Sequence, residues 1–402
     1  MEIRNLTTPE DHLQYRAICM ICFPSASRED IRPMFQNPPP HTNEGNCAYW
    51  GAFDPKGQLH SALMVIPYEM RMNKLTVKMG GIAGVVTRPE SRGLGLGRKI
   101  FQKAYQGMAA EKQAFSYLFP FSWAYYRKLG YDVCRNNNSV NIPIASFSGY
   151  PYPQNIEAYD FTGNVQPYMD IYNDFTKGRN LSIVRDRPTW EKLLSKDPYK
   201  DAWHSFLNHD QSGTPNAYIT YTAQKNAETH GYNIAIQELC WRTTEGLHSI
   251  FGFIGKLSAE FASVNWNAPC DINVHTLFPE AHNTAWQVHA SGMNRIMDTS
   301  VALESLCAPH GAGKVTMEIA DPLIQNNSGI YNIEWENGQL SVAKSSSSHA
   351  DASTSIQTLA QLVSGYLTPA QAIFKTDTRV YSNHEEIGLL FPRKNLYMYE
   401  TF

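Results

Sequence analysis

The segment Arg92-Gly93-Leu94-Gly95-Leu96-Gly97-Arg98 carries the residues best suited to chemistry on an anion. Glycines let a backbone approach a ligand closely, and the first N–H groups of a helix, aided by its dipole, favour negative charge. The flanks supply the elements such a site needs. The apolar run Gly81-Ile82-Ala83-Gly84-Val85-Val86 suits a buried strand, and Leu96, Ile100, Ala104 and Met108 recur at every fourth residue, as on one face of a helix. Strand, glycine turn and helix start together form a phosphate site. Spacing excludes two versions of it. A dinucleotide fingerprint wants Gly-x-Gly-x-x-Gly, whereas Gly93, Gly95 and Gly97 alternate strictly. A nucleoside triphosphate loop wants Gly-x-x-x-x-Gly-Lys-Ser/Thr. The nearest match, Gly311-Ala312-Gly313-Lys314, lacks the upstream glycine and is followed by Val315.

The elements around the loop can be read from local signals. Thr8 suits a helix cap, Pro9 the first helical position, and Glu10 and Asp11 the positive end of the dipole. Ala48 to Phe53 and Leu63 to Tyr68 read as strands joined by the turn Asp54-Pro55-Lys56-Gly57, and a turn at Met72-Asn73-Lys74 leads into a third strand, which in turn leads to the strand before the loop. Beyond the loop helix come a strand at Phe115 to Phe119, a helix at Trp123 to Leu129 and a strand from Tyr131. This order makes a mixed α/β domain over 1–150. A segment rich in Pro, Gly, Ser and Tyr, Asn141 to Asn155, reads as a linker. The rhythm then returns without the glycine loop: helix at Thr189 to Leu194, strands at Ala217 to Tyr221 and Asn233 to Leu239, helix at Gly246 to Gly255, strand at Ala262 to Trp266. From Met293 onward the pattern is a small α+β unit. Val315, Met317 and Ile319 alternate, Asn337-Gly338 marks a hairpin, and Ile356, Leu359, Ala360 and Val363 form a helix stopped by Gly365.

Composition sets the bounds. A chain of 402 residues exceeds one ordinary core, and 43% hydrophobic with 18% charged residues makes it globular throughout. A net charge of −3 gives no case for nucleic acid as a partner. No apolar run reaches spanning length and the first ten residues lack the basic and apolar regions of a signal peptide, so a cytoplasmic location is expected. Seven widely spaced cysteines form no disulfide framework, which fits reduced thiols. Cys19 and Cys22 have redox or metal spacing, but they fall in a helical pattern with Leu13, Ile18 and Ile21 and have no second pair, so they read as core residues and no metal is expected.

Arg92-x-x-Gly95-x-Gly97 between strand and helix is similar to the pyrophosphate loop of acyl-CoA N-acetyltransferases of the GNAT superfamily. The chain as a whole resembles the enhanced intracellular survival (Eis) family. Tyr126-Arg127-Lys128-Leu129-Gly130-Tyr131 resembles that family's Tyr-x-x-Phe-Gly-Tyr segment, Met293-Asn294-Arg295-Ile296-Met297-Asp298 resembles the start of its C-terminal domain, and the chain ends, as the family does, on an aromatic residue, Phe402. The resemblance implies tandem GNAT domains of mixed α/β sheets, the first over 1–150 and a degenerate second over 151–290, followed by a sterol-carrier-protein-like α+β domain over 291–402. It implies acetyl-CoA as co-substrate and no metal. The strand Val85, Val86 and Thr87, the loop Arg92, Gly93, Leu94, Gly95, Leu96, Gly97 and Arg98, and Phe121 and Ser122 would hold the co-substrate. Tyr126 would protonate the departing thiolate, and the terminal carboxylate of Phe402 would take the amine proton. An α-carboxylate is intrinsically less basic than Asp or Glu, so that role requires burial or a relaying water. The implied reaction is acetyl transfer to a primary amine on an aminoglycoside, a polyamine or a lysine side chain, in a homo-oligomer such as a hexamer. A lipid- or sterol-binding protein and an acyltransferase for longer acyl-CoAs are the alternatives.

Overall fold

The computed structural model describes residues 1–23, 34, 46–153, 155–159, 163–226 and 231–402. The chain forms two compact units. The first comprises Met1–Cys134, Gly292–Arg393 and Glu400–Phe402, and the second Arg135–Ser291 and Lys394–Tyr399.

In the first unit, β1 (Glu2–Asn5) leads to α1 (Pro9–Cys22). The helix opens on a capping box: Thr8 Oγ1 accepts the Asp11 N–H, and the Asp11 carboxylate accepts the Thr8 N–H and also pairs with Arg4 at 2.6 Å. An antiparallel meander follows, β2 (Ala48–Phe53), β3 (Leu59–Met72) and β4 (Leu75–Thr87). After the glycine loop come α2 (Leu96–Ala110), β5 (Phe115–Leu118), α3 (Trp123–Arg127) and β6 (Asp132–Val133). The stripe Leu96, Ile100, Ala104 and Met108 is fully buried against the sheet.

The second unit holds β7 (Asn136–Pro143), a 3-10 turn at Ile144–Gly149, β8 (Ile156–Ala158), α4 (Gln166–Thr176), β9 (Arg179–Asn180), α5 (Arg187–Leu194), β10 (Trp203–His209), β11 (Pro215–Lys225), β12 (Tyr232–Trp241), α6 (Thr244–Lys256), β13 (Phe261–Ala268) and β14 (Ala285–Ala290). Its sheet runs β14-β7-β13-β12-β11-β10-β8. The expected linker over 141–155 is corrected at its start. Asn141 to Pro143 end β7, where they pair with Ser263 to Asn265 of β13, because their alternating neighbours Val140 and Ile142 bury one strand face. Residue 154 of that segment lies outside the described residues.

The chain then returns to the first unit as β15 (Met293–Ile296), α7 (Thr299–Glu304), β16 (Gly313–Ala320), β17 (Gly329–Glu336), β18 (Gln339–Ser345), β19 (Ala352–Ser355), α8 (Ile356–Ser364), α9 (Pro369–Ala372), β20 (Thr378–Val380) and α10 (His384–Leu390). Sequence places Met293 at the start of a separate α+β unit. Instead β15 inserts between β5 and β6 and completes the sheet order β1-β2-β3-β4-β5-β15-β6. Its Arg295 is fully buried, and its Nη2 donates to both carboxylate oxygens of Asp321, at 2.9 and 3.1 Å. Gly130 (φ +85°) is glycine because a Cβ there would stand 1.3 Å from Arg295 Nη1. The remaining strands form a five-stranded sheet, β18-β17-β16-β19-β20. The hairpin at Asn337-Gly338 has positive φ at both residues, and Gly365 ends α8 in the left-handed region, as their types predict. Last comes β21 (Asn395–Leu396), which pairs in parallel with β9 in the second unit. Among the described residues no helix is long and apolar enough to cross a membrane.

Candidate active site

The glycine loop is built as an open anion cradle. Gly93 (φ +82°) and Gly95 (φ +71°) sit in the left-handed region, and among the described residues no atom lies within 4 Å of where their Cβ atoms would be. Gly95 is also the N-cap of α2 and offers no side chain to the helix end. The first backbone bond of the helix is Lys99 N–H to the Gly95 carbonyl, and the N–H groups of Gly95, Leu96, Gly97 and Arg98 have no partner among the described residues. Arg92 and Arg98 are exposed and pair with no carboxylate among the described residues, and Leu94 is exposed beside them. A diphosphate fits this set: four free donors, two free cations and no side chain in the way. Gly97 also answers to a neighbour inside the protein. A Cβ there would lie 2.2 Å from the Tyr125 hydroxyl, so the lack of a side chain seats α3 against α2 while the N–H stays among the donors.

Above the loop the sheet opens. β4 and β5 pair in parallel only from Met79 to Ile82, while β4 runs on to Thr87 against β3 alone. Just past the last parallel pair, the β3–β4 register slips and Gly84 takes φ +54°, with its carbonyl accepting the Tyr15 hydroxyl at 3.1 Å. Val85, Val86 and Thr87 lie in this one-sided stretch. Their side chains are not all available to a ligand. Val86 is buried against α1 with Ile18, Phe53 and Leu59, and its carbonyl accepts the Ser61 hydroxyl at 2.7 Å. Thr87 Oγ1 lies 2.7 Å from Ser61 Oγ. What this stretch offers is its main-chain edge on the side that β5 has left, together with the half-buried Val85.

Beyond β5, Ser122 is the N-cap of α3 and accepts the Tyr125 N–H, so its hydroxyl is committed to the helix. Phe121 is 69% exposed, with its ring against Tyr125 and Tyr126 at 5.4 and 5.1 Å. Tyr126 is 2% exposed among the rings of Phe101, Tyr125 and Tyr131. Its hydroxyl makes no hydrogen bond among the described residues. Burial, and then the neighbouring Tyr125 and Tyr131, push its pKa above the ordinary tyrosine value, so it holds its proton at neutral pH.

The far end of the chain reaches this same unit. The Phe402 ring packs against Tyr68 of β3 at 5.3 Å, Phe119 at 5.4 Å and Tyr117 of β5 at 6.2 Å. Gly81 of β4 makes the seat, since a Cβ there would stand 2.9 Å from Phe402 Cε2. Its neighbour Gly80 faces Met108 of α2, so Phe402 lies on the sheet face away from α2. Tyr126 packs in the core on the α2 side. The gap where β4 and β5 part therefore joins the face bearing Tyr126 to the face bearing Phe402. Tyr68, Tyr117 and Phe119 escape the sequence reading. The only hint was the period-2 spacing of Tyr117 and Phe119. Burial, with the charge of Glu400, raises the Tyr68 pKa to about 12.

Cys19 and Cys22 are half-buried free thiols packed against the core under α1. Burial raises Cys19 to about 11, and Cys22 Sγ points to the Thr87 carbonyl.

Residues 2–134 match the acetyltransferase (GNAT) domain family, residues 181–296 a second acetyltransferase (GNAT) domain family, and residues 300–399 the sterol carrier protein domain family. No curated protein sequence matches the chain. Among solved structures, a conserved protein of unknown function from Enterococcus faecalis, described as a probable N-acyltransferase, is similar at 20% identity and TM-score 0.85, over 100% of this chain and 99% of that one. A GCN5-related N-acetyltransferase from Anabaena variabilis is similar at 20% identity and TM-score 0.85, over 100% of both chains. Eis1 from Mycobacterium abscessus is similar at 16% identity and TM-score 0.80, again over 100% of both. GNAT domains use acetyl-CoA as co-substrate, and the loop here has the donors to hold its diphosphate. The chain is thus a GNAT-type acyltransferase, with two GNAT domains of mixed α/β sheets followed by a sterol-carrier-like domain.

Proposed function

We propose that this protein is a member of the Eis family that transfers acetyl from acetyl-CoA to a primary amine, carried on an aminoglycoside, a polyamine or a lysine side chain. The observation that carries the reading is the seat of Phe402 on β3, β4 and β5 of the domain with the open glycine loop. Acetyl-CoA supplies an activated thioester. The amide groups of Gly95 to Arg98, with Arg92, anchor its diphosphate, and the free edge of Val85 to Thr87 guides its extended arm, with Phe121 and Ser122 at the end of that path. The amine nitrogen must lose a proton to attack the thioester carbon, and the Phe402 carboxylate accepts it. Tyr126 gives its hydroxyl proton to the departing sulfur, which a phenol held protonated by burial is suited to do.

In the same reading the protein works in the cytoplasm as a homo-oligomer, a hexamer by family likeness. The test is acetylation of an amine panel, with longer acyl-CoAs and free sterol as parallel arms. Turnover with acetyl-CoA and at least one amine class is the expected result. Binding of sterol without turnover of any amine would overturn the reading.

A further inference from the structure

The second GNAT domain has the sheet of a cofactor domain but not the loop. Its own internal contacts indicate what it does instead. The tail segment Lys394–Tyr399 is folded into this unit. There β21 pairs with β9, the Tyr397 N–H donates to the Asn180 carbonyl at 3.0 Å, and Leu396 and Met398 are buried. Tyr397 then reaches into the core. Its ring packs on Phe175 at 5.2 Å and its hydroxyl donates to Glu238 Oε1 at 3.1 Å. Glu238 is buried. It accepts a fork from the equally buried Arg185 at 2.8 and 2.9 Å and the Tyr218 hydroxyl at 2.7 Å. Arg185 in turn lies over the Tyr399 ring at 4.7 Å.

A buried ion pair is weak evidence of stability, because desolvating both charges costs about as much as their attraction returns. It does impose a specific geometry, since an Arg–carboxylate fork accepts neighbours only from set directions. Here two of those neighbours are tail tyrosines. The tail also meets β12 at Glu238 and Cys240, just past Ile236, where β13 stops pairing. That is the stretch corresponding to Val85–Thr87 of β4, which carries no charge.

We propose that the second domain is a clamp for the C-terminal tail, in which Arg185 and Glu238, closed over by Tyr397 and Tyr399, act as positioning residues for the Phe402 carboxylate. The proposal rests on the reading of Phe402 as the base. Phe402 stands three residues beyond Tyr399, at most ~11 Å of chain, so slack at the clamp becomes misplacement at the carboxylate. A misplacement of about 1 Å can cost about 10²-fold in rate.

The experiment compares the wild type, Tyr397→Phe, Tyr397→Ala and Tyr399→Ala as full-length enzymes. Two quantities are read besides thermal unfolding and acetyl-CoA affinity: kcat, and the rate at which carboxypeptidase A releases Phe402 from the native protein, which reports local opening of the tail. For the two alanine variants the expected result is release faster by about tenfold or more, kcat lower by about 10²-fold, and acetyl-CoA affinity unchanged. Tyr397→Phe, which keeps the ring and leaves Glu238 its other partners, should restore most of both. If Tyr397→Ala does not fold, Tyr399→Ala carries the comparison alone. Unchanged release from a folded alanine variant overturns the clamp. Faster release with unchanged kcat overturns the positioning role. A C-terminally extended wild type run alongside tells whether the Phe402 reading has failed as well: full activity of that control removes the base, whatever the clamp does.

Discussion

The crossovers β4–α2–β5 and β12–α6–β13 are the same piece of architecture built twice, and they differ at one helix end. Both pair their flanking strands in parallel for a few residues and then let them part, and both carry a register slip just beyond. At α2 the cap is Gly95, which gives the helix nothing and leaves its first N–H groups free. At α6 the cap is Thr243, whose hydroxyl accepts the Gly246 N–H, and the preceding Arg242 is tied to Asp174 at 2.6 Å. A helix end that satisfies its own donors has less to offer an anion. One fold thus yields a binding site or a structural support according to a few residues at a cap. The support is then free to hold something else, here the C-terminal tail.

The largest expected effect breaks the first crossover's chemistry. Adding even two residues after Phe402 converts its carboxylate into an amide, which is no base, and kcat should fall by about 10⁴-fold, the upper range of acid–base catalysis. Acetyl-CoA affinity, read by calorimetry, should hold. Full activity of the extended enzyme would end the terminal-carboxylate mechanism. Next, Tyr126→Phe removes a hydroxyl with no hydrogen bond among the described residues, so stability should be nearly unchanged while kcat drops by about 10²- to 10³-fold in a steady-state assay. Near-normal turnover would assign Tyr126 to packing. Gly95→Glu places bulk, strain at φ +71° and like charge at the cradle, and acetyl-CoA affinity should fall by more than about tenfold, or about 1.4 kcal/mol. Calorimetry on the folded variant measures it, and an unchanged affinity would discard the loop. The smallest effect sharpens the contrast. Thr243→Ala removes the α6 cap and should cost about 1 kcal/mol in thermal unfolding, with acetyl-CoA stoichiometry still one per chain. A second bound equivalent would mean that the second domain keeps a cofactor site.

Much of this architecture is legible in short windows. The capping box at Thr8, the buried stripe of α2, the hairpin at Asn337-Gly338 and the stop at Gly365 all follow from forces acting within a turn or two of chain. The loop reads the same way, as positive φ at Gly93 and Gly95 demands glycine whatever surrounds them. Sequence alone does not show where a residue also answers to a distant neighbour. Gly97 lies in the glycine loop, and it is small because Tyr125 needs the space. Val86 looks like a cofactor contact on its strand, yet α1 has taken its side chain. Ser122 looks available, and instead caps α3.

The sequence by itself determined the local chemistry: an uncapped helix start after a glycine turn, two arginines beside it, and a run of aromatic and apolar residues from Leu396 to Phe402. Such features depend on backbone preference and residue type, which neighbours in the chain dictate. Only the tertiary structure decided that Met293–Ile296 joins the first sheet, that Gly81 leaves a seat for Phe402, and that Tyr397 and Tyr399 close over Arg185 and Glu238. These pairings span more than a hundred residues of chain. They form because burial and hydrogen bonding reward whichever surfaces the whole fold brings together, and no local pattern encodes which surfaces those are.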